Sequence, residues 1–119
     1  MIDLDEALRP LGGFHDASLL VVIWKRDEQQ LSLEFKDLAA NFRGLPEYKG
    51  PVQGAIILMS AELIEFQMNL SAGLRVFDWI TNPLPDGKKQ SVITFSPEGR
   101  IIVNHRIGSI KADRTRLPF

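Results

Sequence analysis

From residue 30 onward, apolar and polar side chains exchange places with a period of two. Leu31, Leu33 and Phe35 alternate with Gln30, Ser32, Glu34 and Lys36, the pattern of a strand with one buried and one wet face. The run before it, residues 18–25, is apolar at both parities. That predicts a strand covered on both faces, with Trp24 in the core. The polar stretch Arg26-Asp27-Glu28-Gln29 between them makes the pair a hairpin. Further on, Ile64, Phe66, Met68 and Leu70 alternate with Glu65, Gln67 and Asn69; a helix would scatter Glu65 and Gln67 into its apolar stripe. Strands are therefore predicted at 52–59 and 63–70, joined at Ser60-Ala61-Glu62, with another at 74–81 after Ala72-Gly73. Near the end, "SVITF" and "RIIVNHRI" flank Ser96-Pro97-Glu98-Gly99, where proline suits the second turn position and glycine the fourth.

Only residues 2–11 read as a helix. Asp3 or Asp5 can cap it, acidic residues fill its first turn, and Pro10 with Gly12-Gly13 ends it. The prediction is a mainly β (α+β) fold, about seven antiparallel strands in a curled sheet or small sandwich with one short N-terminal helix. No repeat or linker divides the chain, so residues 1–119 form a single domain. Residues 37–51, with two glycines and two prolines, read as a long surface loop, a kind of segment that is often functional when ordered.

The absence of cysteine removes disulfides, thiolate metal sites and cysteine nucleophiles, and suits a reducing compartment. The amino-terminal stretch MIDLDEALRP is acidic where a signal peptide is basic. The longest apolar runs, 19–24 and 55–59, are far short of the ~20 residues of a membrane span. The expectation is a cytoplasmic protein with no membrane partner. Net charge is −1, but residues 1–87 carry 7 Lys/Arg against 13 Asp/Glu while residues 88–119 carry 7 against 2. The basic third could attract an anion. No aromatics interleave with it as a stacking platform requires, which argues against nucleic acid as a partner.

The candidate binding residues are His15, Asp16, Asp78, Trp79 and His105. A carboxylate beside an imidazole can fix its tautomer and raise its basicity. If the strand has already begun at Phe14, though, adjacent side chains face opposite ways and the dyad does not form. Asp16 can instead accept backbone N–H groups in a turn, and His15 can bond a carbonyl. Asp78 interrupts an apolar strand beside Trp79, a combination that suits a binding surface, core and solvent being the plain alternatives. His105 shares a parity with Ile101, Val103 and Ile107, as a satisfied core or edge histidine would. A zinc site would have to gather His15, His105 and Asp16 or Asp78 through folding alone. There is no phosphate-binding glycine loop, no nucleophile elbow and no His-Glu-x-x-His, so no catalytic set, metal or cofactor is expected.

Phe14-His15-Asp16-Ala17, followed by a long apolar strand, a polar turn and "LSLEF", resembles the opening of small bacterial immunity-type proteins and domains of unknown function. "VQGAIILMS", "ELIEFQMNL" and "ITFSPEGRIIV" are similar in outline. The loop at 37–51 and the segment "LSAGLRVFDW" depart from that pattern. The resemblance implies a non-enzymatic protein that binds a cognate toxin. The leading expectation is thus a protein-binding module whose partner is another protein, the chain itself being a monomer or homodimer. The alternatives are a small metal-dependent or acid-base enzyme using His15 and Asp16, and a weak nucleic-acid binder using the basic third.

Overall fold

Alternating strands separated by polar turns can only bury their apolar faces against one another, and here they do so in two antiparallel sheets. The computed structural model describes residues 1–119. In chain order it contains β1 (Ile2–Asp3), α1 (Leu4–Leu8), β2 (Leu19–Lys25), β3 (Gln30–Phe35), β4 (Gly54–Met59), β5 (Glu62–Gln67), β6 (Arg75–Pro83), β7 (Lys89–Ser96), β8 (Arg100–His105) and β9 (Ile107–Lys111). One sheet has the order β1-β9-β4-β3-β2 and the other β5-β8-β7-β6, so the fold is mainly β with one small helix.

The inward positions are those that the period of two selects. Leu31, Leu33, Phe35, Ile56, Leu58 and Ile110 of the first sheet meet Val76, Trp79, Ile93, Phe95, Ile101 and Val103 of the second in one buried cluster. α1 closes one end with Leu4 and Ala7. The sheets also share a hydrogen-bonded seam. Asp16 N–H donates to the Val76 carbonyl at 2.9 Å, Val76 N–H to Ala17 at 3.0 Å and Leu19 N–H to Leu74 at 2.9 Å. The start of β2 therefore lies beside the start of β6, and the two layers curl into one another there.

Four expectations need correction. The helix spans Leu4–Leu8 rather than 2–11, because Ile2 and Asp3 pair with Ile110 and Ser109 of β9; Asp3 takes the N-cap position without a side-chain bond. The final apolar run is two strands, since the chain passes from the second sheet to the first at Arg106. β2 is not covered on both faces, since Leu20, Val21, Ile23 and Trp24 are exposed, and it ends its sheet with β3 as its only strand partner. Trp24, expected in the core, is 36% exposed there. Residues 41–51 do run over the surface without a strand or α-helix, although the first four residues of the segment, Asp37, Leu38, Ala39 and Ala40, are buried. At the β7–β8 turn the Ser96–Pro97 peptide is cis, and Phe95 N–H bonds the Gly99 carbonyl at 2.9 Å.

Candidate functional site

Residues 12–16 form a left-handed turn. Gly12, Gly13 and Phe14 have φ of 63°, 64° and 57°, and Asp16 has φ of 68°. Glycine takes this region without cost and aspartate tolerates it, whereas phenylalanine is held there by its surroundings. The Phe14 ring is fully buried and lies edge-on to Trp79, 5.5 Å between centroids. The strand has not begun at Phe14, so His15 and Asp16 are not forced to opposite faces. His15 Nδ1 lies 2.8 Å from the Phe77 carbonyl, which fixes it as the protonated donor because a carbonyl can only accept. Nε2 is 3.6 Å from Asp16 Oδ1, and that oxygen is 3.8 Å from Arg75 Nη1. The dipeptide thus ties the turn to β6 with two hydrogen bonds, His15 Nδ1–H to the Phe77 carbonyl and Asp16 N–H to the Val76 carbonyl, and one loose ion pair, Asp16–Arg75. No three His, Asp or Glu side chains converge on a point that could hold a metal ion. His105 does not join His15.

His105 belongs to a second constellation. Its side chain is 1% exposed, and Nε2 lies 2.8 Å from Ser91 Oγ. Ser91 Oγ also lies 3.2 Å from Trp79 Nε1 and 2.9 Å from Thr81 Oγ1. The indole N–H can only donate, leaving Ser91 one acceptor position and one proton. If Ser91 gives its proton to Thr81, His105 donates from Nε2 and its partnerless Nδ1 is a bare lone pair. The reverse polarity would orphan a buried N–H, the rarer and costlier defect. The first arrangement therefore holds. Burial, with the positive charge of Lys89 nearby, pushes the imidazole down to about 4, so it is neutral at physiological pH. Thr81 and Ser91 were not among the residues expected from sequence, although each is a polar interruption at an inward parity of its strand.

In front of this network a cleft of about 540 Å³ opens between α1, Gly12-Gly13 and the β6–β7 hairpin. Trp79, Thr81, Asp78, Lys89, Asp5 and Arg9 are among its lining residues. Trp79 is 3% exposed. The exposed Asp78 accepts the Trp79 backbone N–H on Oδ1 at 3.0 Å, and Lys89 is ion-paired with Asp5. The basic third is in part neutralised by acidic elements, since Arg100 also makes a two-point pair with Glu65 at 2.8 and 3.0 Å.

Sequence reasoning missed Asp37 altogether. Fully buried, it accepts Ala39 N–H and Val52 N–H on Oδ1, both at 3.0 Å, and Tyr48 Oη–H at 2.6 Å and Arg43 Nε–H at 3.3 Å on Oδ2. Burial, then the bond to Asp37, raises the Tyr48 phenol above its ordinary value. One carboxylate thereby pins both ends of the segment 37–52. No family model matches this chain, and no curated protein matches it in sequence. No helix is long and apolar enough to cross a membrane.

Proposed function

We propose that the chain acts as a protein-binding module and that β2 is the element that binds. The observation that carries this reading is the character of the strand at the end of its sheet. Leu20, Val21, Ile23 and Trp24 are 50%, 38%, 39% and 36% exposed, and beyond the seam with β6 the strand has a neighbour on one side only. Exposed edges are usually blunted by proline, by charge or by a covering loop. Between Leu19 and Trp24 there is no proline and no charge, and the one irregularity of the strand, a bulge between Leu19 and Val21, lies at its start and leaves residues 21–24 in regular register. An extended apolar segment of another protein would continue the sheet through main-chain hydrogen bonds, its side chains meeting those of β2 in alternation. The Phe14-His15-Asp16-Ala17 turn sets where this free edge begins. Its resemblance to immunity-type proteins makes a toxin domain the class of partner to look for.

The test is co-purification from the native host at near-physiological salt, comparing the native chain with Ile23→Lys, followed by hydrogen exchange on the purified pair. A stoichiometric partner that protects amides of residues 20–24 and is lost with the lysine variant is the expected result. Absence of a stoichiometric partner, or a partner indifferent to Ile23→Lys, would overturn the proposal.

A further inference from the structure

We propose that the cleft between α1 and the β6–β7 hairpin is a binding site for a small zwitterion with an apolar body, an apolar amino acid or dipeptide with both its ammonium and its carboxylate free. At about 540 Å³ the cleft lies within the roughly 300–1,000 Å³ typical of small-molecule sites. Its floor is already ordered. Trp79 is held by the Ser91 hydroxyl through Nε1 and by the edge of Phe14, and the neutral His105 behind it completes the Ser91 hydrogen bonds. A wall fixed in this way loses little freedom when a ligand settles on it.

The charges select the ligand. Four charged side chains line the cleft, and two of them, Lys89 and Asp5, satisfy each other. The Arg9 guanidinium has no ion pair or hydrogen bond, although the residue's carbonyl accepts from Gly12 N–H, and Asp78 uses one carboxylate oxygen, on the Trp79 N–H, leaving the other free. One unsatisfied cation and one unsatisfied carboxylate oxygen in the same cleft match a molecule with one charge of each sign. Arg9 would take the carboxylate through its guanidinium fork, and Asp78 the ammonium. Leu8 and Pro83 supply the accessible apolar surface for the body, over a floor whose Trp79 is almost wholly covered. An anion alone would leave Asp78 opposed to it, and a cation alone would meet Arg9. This site is separate from the β2 edge, so neither proposal depends on the other.

The experiment is a ¹H–¹⁵N titration with leucine, leucyl-leucine, and leucyl-leucine blocked by N-acetylation or by C-terminal amidation. The expected result is a saturating shift of the Gly12, Gly13 and Trp79 amides with an unblocked probe. Either block should weaken binding by about tenfold, the loss of one charge-assisted hydrogen-bonded pair. Arg9→Met should weaken binding of the unblocked probe and abolish the effect of amidation. Asp78→Asn, which retains an oxygen for the Trp79 N–H, should do the same for acetylation. Saturation by leucine points to free amino acids, and saturation by leucyl-leucine alone to peptides. No shift at those amides by about 10 mM, or equal binding of blocked and unblocked probes, would overturn the proposal.

Discussion

A single buried carboxylate shows how much of this molecule rests on individual side chains. Asp37 satisfies two backbone N–H groups, a phenol and a guanidinium, so its desolvation is offset only while all four surround it. Asp37→Ala would strand the Ala39 and Val52 N–H groups inside the protein. The expected loss is about 3 kcal/mol, read as a lower urea midpoint with an unchanged slope. His105 gives a residue-scale prediction of the opposite kind. Its folded value of about 4 lies below the ordinary 6.5, so between those two pH values the unfolded chain binds a proton that the folded one refuses. The stabilisation is fully present above pH 6.5 and is lost as pH falls toward 4, up to roughly 3 kcal/mol at 1.36 kcal/mol per pH unit. Urea midpoints from pH 7 to 4.5 should therefore fall more steeply for the native chain than for His105→Gln. Parallel declines would show that the carboxylates alone set the acid sensitivity. His15, partly exposed and loosely paired, is expected to cost less than about 1 kcal/mol on replacement by alanine, and Asp16→Ala about 1 kcal/mol, because alanine tolerates the φ of 68° less well than aspartate. A loss of ~2 kcal/mol or more would mark them as a latch that the fold requires.

At the scale of elements, the strands were legible wherever one face is buried and the other wet, because period two is then written directly into the residues. β3 and β7 are the clear cases, with every second residue buried. β9 was hidden because hydrophobicity runs on through Arg106 while the inward parity shifts: His105 faces in, and then Gly108 and Ile110. The exposure of β2 could not be read from its own residues, since an edge differs from a centre only by which strands lie beside it. The candidate site was legible in part. His105, Trp79 and Asp78 all lie at or behind the cleft, but Arg9 comes to it from the end of α1 and Lys89, with Ser91 behind, from β7, two parts of the chain whose meeting no local spacing announces. One junction between elements can be tested directly. A Cβ on Gly108 of β9 would come within 2.5 Å of Leu4 Cδ2 and 2.9 Å of Leu4 Cβ. The Cβ of Leu4 cannot swing away as a side-chain tip can, so α1 must move. Gly108→Ala is expected to lower stability by about 2 kcal/mol and to speed amide exchange in α1 more than in β7. Unchanged exchange in α1 would mean that the helix does not depend on this close approach.

At the scale of the whole molecule, the question is whether two sheets with separate strand orders behave as one cooperative unit. Three features argue that they do: a single buried cluster drawn from both sheets, the seam between residues 16–19 and 74–76, and Phe14, whose ring carries the turn onto Trp79. The chain supplies its own reporters, because its two tryptophans lie on different sheets, Trp24 on β2 and Trp79 on β6. Trp24→Phe leaves only Trp79 to fluoresce, from a buried site, and its emission should be blue-shifted and resist acrylamide. Trp79→Phe leaves only Trp24, whose emission should be red-shifted and readily quenched. Stability will differ between the two variants, since Trp79→Phe also removes a hydrogen bond to Ser91. The comparison is therefore made within each variant, between fluorescence and far-ultraviolet circular dichroism. If the seam couples the sheets, the two probes give one midpoint in both variants, the test of a two-state transition. A fluorescence midpoint below the dichroism midpoint in Trp79→Phe alone would mean that β2 detaches first. The strand proposed to bind a partner would then sit on the least stable part of the fold, where binding would stabilise the whole chain by mass action.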